Sequence, residues 1–391
     1  MSKIEQLLKK HCRDGVEYKH LWEVTIWDKR FNAVENYKQP QVIKYKYFLA
    51  SELKPLIVEG GTIKILTTNN SNLYTTEDLA EENYSDGEII AIPWGGNPIV
   101  QYFKGKFLTS DNRIAVSNDT SYLNTKYLYY CLLDSIDIIS TFYRGSGIKH
   151  PNMAKVLDFQ IPIPPLAIQQ EIVTLLDKFT ALEAELEAEL EARSRQYEYY
   201  RNQLLAFEGK EVEWKVLGDV AELKAGKSIS ASKISSLADD KNRFICIGGN
   251  GIRGFVEHYS HEGNFPIIGR QGALCGNLFF ASGKFYATEH AVVVKPFQNE
   301  NKKFLYYLLK SLNLNQYATG GAQPGLAVTN LNKIKIPIPS KEEQERIVNI
   351  LDQFDALVND IKTGLPAEIK ARRAQYEYYR KKLLTFKMVN D

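Results

Sequence analysis

No run of about 18 apolar residues occurs in this 391-residue chain, so a membrane-spanning helix is not expected. The opening Met1-Ser-Lys-Ile-Glu5 has no apolar leader either, and the expectation is a cytoplasmic protein with no membrane partner. Cysteine is scarce: Cys12, Cys131, Cys246 and Cys275 are widely scattered without metal-ligand spacing. They read as reduced, mostly buried thiols. A surplus of one charge is also missing, because 49 Lys and Arg stand against 47 Asp and Glu for a net +2. Composition alone therefore gives no reason to think of nucleic acid.

Recognisable catalytic patterns are absent as well. Lys224-Ala-Gly-Lys-Ser228 looks superficially like a phosphate-binding loop, but the first required glycine is replaced by Ala221. Glu213-Trp-Lys215 has the look of half a nuclease metal site, and no suitably spaced acidic partner in a Pro-Asp context precedes it. His258 and His261 form a loop pair without further ligands, and no Ser/His/Asp arrangement stands out. The expectation is no catalytic residue, no metal site and no cofactor of the chain's own.

What the chain does contain is itself, twice. Gln196-Tyr-Glu-Tyr-Tyr-Arg201 returns as Gln375-Tyr-Glu-Tyr-Tyr-Arg380, and Ile161-Pro-Ile-Pro164 returns as Ile336-Pro-Ile-Pro339. Leu175-Leu-Asp-Lys-Phe179 matches Ile350-Leu-Asp-Gln-Phe354, and Lys126-Tyr-Leu-Tyr-Tyr130 matches Lys303-Phe-Leu-Tyr-Tyr307. Val16-Glu-Tyr-Lys19 aligns with Val212-Glu-Trp-Lys215, and Ile114-Ala-Val116 with Val292-Val-Val294. Glu5-Gln-Leu-Leu8 is similar to Asn202-Gln-Leu-Leu205, so the chain begins with the tail of the unit with which it ends. A nearly circular repeat of this kind suits pseudo-twofold symmetry. Two copies acting on one partner imply a partner with two similar sites.

The boundaries expected are an N-terminal helix over 1–15 completing the repeat, a globular domain over 16–165, a helical segment over 166–211, a second globular domain over 212–340 and a second helical segment over 341–391. The near-zero net charge conceals a division among them. Residues 212–340 carry 15 basic against 9 acidic side chains, residues 166–211 carry 5 against 10, and residues 16–165 carry 15 against 17. A charge argument for nucleic acid thus holds for the second domain only. Short β-branched and aromatic runs broken by Glu59-Gly-Gly, Trp94-Gly-Gly-Asn97 and Gly248-Gly-Asn-Gly251 read as mixed α/β domains on largely antiparallel sheets.

After each Ile-Pro-Ile-Pro, apolar residues recur at helical spacing. Leu166–Phe207 should form one helix of roughly 60 Å at 1.5 Å per residue, with Ile172, Leu175, Phe179, Leu182 and Tyr197 on its stripe. The second copy offers Ile347, Ile350, Phe354, Leu357 and Tyr376. Each stripe is best covered by the other, giving two long antiparallel coiled-coil helices. The competing possibility is two surface helices, each packed on its own domain. Between Leu182 and Gln196 lie 13 residues, but 17 separate Leu357 from Gln375, and that longer span contains Gly364-Leu-Pro366, which should kink or interrupt the helix. The central copy instead carries an acidic tetrapeptide repeat, roughly Ala-x-Leu-Glu, over Thr180–Glu191. A four-residue step there is one turn, about 6 Å, or nearly two base-pair steps of about 3.4 Å.

Taken together, the paired Ile-Pro-Ile-Pro segments, Gln169-Gln-Glu-Ile-Val173 and Gln344-Glu-Arg-Ile-Val348 after them, and the twin tyrosine hexapeptides resemble the specificity subunit of type I restriction-modification systems. The resemblance covers essentially the whole chain. It implies two target-recognition domains, each reading one half of a split site on double-stranded DNA, with the helices setting the gap between halves. It further implies docking of two methyltransferase subunits, restriction subunits held through them, and S-adenosylmethionine and ATP on those partners. A methyltransferase of such a system needs an Asn/Asp-Pro-Pro-aromatic tetrapeptide, and the only Pro-Pro here is Ile163-Pro-Pro-Leu166.

Bases are read by Arg, Lys, Gln and Asn, and phosphates are held by Lys, Arg, Ser and backbone amides. In the second domain the candidates are Lys224, Lys227 and Ser228, then Arg270 and Gln271, then Gln323 of Gly320-Gly-Ala-Gln-Pro324. The last two loops resemble glycine-rich loops recurring in the family. In the first domain the corresponding candidates are Asn97, Arg144, Lys149 and His150, with Lys29 and Arg30 as a further basic step. Each also reads as an ordinary solvated loop residue. Two other functions remain open at this point: a coiled-coil scaffold joining two protein-binding domains without DNA, and a divergent methyltransferase or nuclease.

Overall fold

The structure, a computed structural model, describes residues 3–389 apart from 273, 298–299, 320–323 and 361. The chain forms two compact units, Met1–Glu185 with Lys370–Asp391, and Leu186–Ile369.

The first unit is built on a six-stranded sheet. Its strands are β1 (Thr25–Trp27), β2 (Ile63–Leu66), β3 (Leu73–Thr75), β4 (Ser85–Pro93), β5 (Gln101–Thr109) and β6 (Asn112–Ser117). They lie in the order β1-β6-β4-β5-β2-β3, antiparallel except where β2 meets β5. In the second unit β7 (Ala221–Ala225), β8 (Phe244–Gly248), β9 (Gly251–Val256), β10 (His261–Glu262), β11 (Phe265–Gly269), β12 (Leu278–Ala281), β13 (Lys284–Ala287) and β14 (Ala291–Pro296) form two four-stranded sheets. One runs β7-β14-β11-β12 and is wholly antiparallel; the other runs β9-β8-β13-β10, with β8 and β13 parallel. The order β1-β6-β4-β5 in the first unit is therefore repeated as β7-β14-β11-β12 in the second. Each unit also has a two-stranded ribbon that joins its Ile-Pro-Ile-Pro strand to Glu17–His20 or Glu213–Val216.

Helices of eight residues or more are α1 (Lys3–His11), α2 (Thr125–Asp134), α3 (Leu166–Leu205), α4 (Lys302–Ser311), α5 (Lys341–Asn359) and α6 (Leu365–Leu384). Helices α2 and α4 start at asparagine caps: Asn124 accepts from the amides of Lys126 and Tyr127, and Asn301 from those of Lys303 and Phe304. Such caps contribute about 1 kcal/mol each. Both helices bury their apolar side against the sheet through Tyr127 and Leu128, or Phe304 and Leu305. A fully buried side chain of this size contributes about 2 kcal/mol.

Each repeated motif joins a domain to its helix. The Gln169 side chain is buried, accepts from the Asn124 amide at 2.9 Å and donates to the carbonyls of Tyr122 and Pro164. Gln344 does the same with the Asn301 amide and the Pro339 carbonyl. Asp177 of α3 accepts from Lys126 at 2.7 Å and from the Tyr130 hydroxyl at 2.5 Å. Asp352 of α5 accepts from Lys303 at 2.5 Å and Tyr307 at 2.7 Å. Burial, then the neighbouring carboxylate, pushes both phenols above their ordinary titration range.

The helices pair within each unit. In the first, Phe179 stacks on Tyr379 at 5.5 Å and contacts Tyr376, while Arg373 bonds Glu183 one turn further along α3, so α3 and α6 run antiparallel. In the second, Tyr197 and Tyr200 stack on Phe354, and the Tyr197 hydroxyl reaches Asp355. The second helical copy is interrupted where Gly364-Leu-Pro366 separates α5 from α6, with proline tolerated in the first turn of α6.

The expected stripe needs correction in α5. Leu357 is 39% exposed, and Val358 beside it is buried; likewise Leu351 is wholly buried while Ile350 is half-buried. The reason is that α5 packs on α4 as well as on α3, which rotates its buried face by one residue to Ile347, Val348, Leu351 and Val358. At the start of α3, Ile168, Ile172 and Leu176 likewise belong to the domain core, with Leu175 at its margin. Leu182 is half-buried. The two possibilities weighed from sequence are thus combined: each helix covers its own domain first and its partner helix second.

Candidate nucleic-acid interface

Because β1 and β4 end where β6 begins, three loops meet at one end of the first unit's sheet. Pro93 of β4 faces Asn112 of β6, and the next amide, that of Trp94, donates to the Asp111 carbonyl at 2.9 Å. The loop after β4 then bonds a more distant segment, Gly96 donating to the Lys149 carbonyl at 3.0 Å. The second unit repeats the plan with different side chains. Gly269 of β11 faces Ala291 of β14, the Arg270 amide donates to the His290 carbonyl at 3.0 Å, and Gly272 donates to the Pro324 carbonyl at 3.2 Å.

In the first unit Arg144 pairs with His150 across a short ribbon, and His150 Nδ1 lies 2.7 Å from the Trp94 carbonyl. Asn97, Arg144, Lys149 and His150 are all exposed and are brought together here. Lys29, Arg30, Trp94, Arg144 and His150 line a cleft of about 500 Å³. Beneath it lies a charged cluster that no motif had announced. The Arg113 guanidinium, 5% exposed, sits 4.7 Å from the Trp94 ring and 5.6 Å from that of Tyr47. It donates to Asp28 at 3.1 Å and to Asp111 at 2.8 Å. Asp28 is fully buried and also accepts from the Tyr47 hydroxyl and the Ile114 amide. Desolvation raises the Asp28 carboxyl above its usual range, against the opposing pull of Tyr47 and Arg113. A buried pair of this kind contributes geometry more than stability: it ties the ends of β1 and β6 together under Trp94.

In the second unit the glycines of the two candidate loops are required by close approach. A Cβ on Gly226 would stand 2.1 Å from the Ala287 carbonyl oxygen, and one on Gly269 would stand 1.9 Å from that of Gly249. Lys227 and Ser228 follow at the exposed edge, the Lys227 amide donating a hydrogen bond to the Ala287 carbonyl. Lys224 is set apart: it lies within β7, opposite Val293, on an exposed strand face. Burial, then the positive charges of Lys295, Lys224 and Lys227, lowers the His261 pKa, so these lysines share one local field. Gln271 is exposed and bridges to Gly325. Gln323 lies outside the described residues.

Sequence reasoning passed over Trp94, Arg113, Glu289 and His290. The signal was available, since the repeat Ile114-Ala-Val116 and Val292-Val-Val294 is preceded in each copy by the turn that enters this site. Among the described residues no group of three or more His, Cys, Asp or Glu is placed to hold a metal ion, and no helix is long and apolar enough to cross a membrane.

The chain is thus a doubled mixed α/β domain, each copy ending in polar loops and coupled to a long helix. The family profile described as the type I restriction modification DNA specificity domain matches residues 34–192 and again 209–371, and the chain belongs to that family. It is 33% identical to the type I restriction enzyme EcoR124I/EcoR124II specificity subunit of Escherichia coli, over 99% of this chain and 97% of the relative. A second relative, the Escherichia coli EcoprrI specificity subunit, is 52% identical over 60% of this chain and 62% of its own length. In fold, the chain is similar to the type I restriction-modification S subunit from M. genitalium, with a TM-score of 0.66, 18% identity, and 95% and 96% of the two chains covered.

Proposed function

We propose that each unit reads one half of a bipartite DNA target, and that the chain binds and positions while partner subunits catalyse. The observation that carries this reading is the site built twice on one plan with unlike side chains. Trp94 and Asp111 stand in the first unit where Arg270 and His290 stand in the second, and Arg144 and His150 line the first unit's cleft beside Trp94. One backbone plan with two sets of donors and acceptors suits two different half-sites. Lys29, Arg30, Lys227 and Ser228 are assigned to phosphates at the two edges, and Lys224 with Lys295 supplies a sequence-independent field. The helices would set the gap between half-sites and dock two methyltransferase subunits, which carry S-adenosylmethionine; restriction subunits with ATP would join through them. Function in the cytoplasm follows from that partnership.

Methylation sequencing of DNA from cells carrying this chain with its methyltransferase tests the reading. Two short specified sequences separated by a constant unspecified gap are expected. A single uninterrupted motif would contradict it, and so would the scaffold function without DNA if duplex binding were absent in the assembled complex.

A further inference from the structure

The turn Glu289–His290, immediately before β14, holds covered side-chain atoms with no hydrogen-bond partner. Its backbone is fixed from several sides. Thr288 donates to the Ile247 carbonyl at 2.9 Å, Ala291 donates to Thr288 at 3.0 Å, and the His290 carbonyl accepts from Arg270. Its side chains are 39% and 40% exposed. Glu289 Oε1 lies 3.3 Å from His290 Nε2, but Glu289 Oε2 and His290 Nδ1 are covered and have no hydrogen-bond partner. The same holds for Arg270 Nε and Thr288 Oγ1, so four of the nine such atoms among the described residues belong to this turn and its neighbour. Folded proteins leave few polar atoms in that condition, and a local concentration points to a partner from outside the chain. Turning the Glu289 carboxylate toward an incoming donor sacrifices no hydrogen bond at Oε2.

The chemistry of that partner is restricted. A carboxylate at a DNA-facing edge is repelled by phosphate oxygens, so only a base edge can receive it. In the major groove the donors are amino groups, and a carboxylate accepts characteristically from cytosine N4. In the first unit the carboxylate of the equivalent turn, Asp111, is engaged by Arg113, although Asn112 Oδ1 and Arg113 Nε beside it are also covered without a partner. We propose that Glu289 reads a cytosine in the half-site of the second unit, with His290 holding its other oxygen and Arg270 donating to the adjoining base pair. The inference rests on the DNA-reading function above.

The test selects bound sequences from randomised duplexes, using the full chain assembled with its methyltransferase partner. For Glu289→Ala, preference for cytosine at one position of one half-site should fall about tenfold, with the remaining positions of both half-sites retained as the control for folding. Glu289→Gln should admit adenine at that position, since a carboxamide pairs with adenine N6 and N7. Unchanged selectivity at every position in both variants overturns the proposal, as does loss of the whole half-site in both, which would make the residue structural. A wild-type complex that selects no bipartite motif instead sinks the DNA-reading function itself, and the inference with it.

Discussion

At the scale of single residues, the repeated motifs turn out to be fasteners. Gln169 and Gln344, Asp177 and Asp352, and the Lys and Tyr side chains they hold form the same contacts in both units. Their recurrence was legible in the sequence, and their purpose was not, because these bonds join residues 43 to 51 positions apart. Replacing Gln169 by leucine strands the Asn124 amide and the carbonyls of Tyr122 and Pro164. That should cost about 2 kcal/mol, measured as a lowered unfolding midpoint in calorimetry. The site residues were only partly readable. Glycine-rich stretches flagged Arg270, Gln271 and the Gly145–His150 loop, since close backbone approach demands glycine there. Glu289 and Arg113 carry no such mark, and only the strand register brings each to the loop edge of its own unit.

Among the elements, helix positions followed from apolar spacing and proline: α3 runs from Leu166 to Leu205, and the second copy breaks before Pro366. Spacing alone could not say which of two neighbours a stripe faces. Leu357 belonged to the expected seam, yet packing on α4 turns it outward and brings in Val358. The glutamates that follow Phe179 in α3 fare differently from one another: Glu183 bonds Arg373, whereas Glu189 and Glu191 pair with Arg193 and Arg195 on α3 itself. The segment between these contacts belongs to neither unit's buried core cluster among the described residues. Deleting Ala184–Glu187 should shorten the tolerated gap by one or two base pairs, at about 6 Å per turn against about 3.4 Å per step. Both half-sites should remain as they were, and methylation sequencing reads the two quantities together.

For the whole molecule, the doubling was visible from end to end, and both units carry the strand order that it implies, β1-β6-β4-β5 and β7-β14-β11-β12. Divergence between copies is greatest where the loops lie. The first unit extends its sheet beyond β5 by β2-β3, and the second has a separate four-stranded sheet instead. The charge division, +6 for residues 212–340 and −2 for residues 16–165, has the same origin in divergence of one duplicated domain. Two domains of common descent and different surface chemistry should, on the proposed function, be exchangeable one at a time. The most direct measurement replaces residues 16–160 with the matching segment of a relative of different specificity and maps methylation in cells. One half-site should change, and the other half-site and the gap should stay the same. A change in both half-sites would contradict the assignment of one reader to each half.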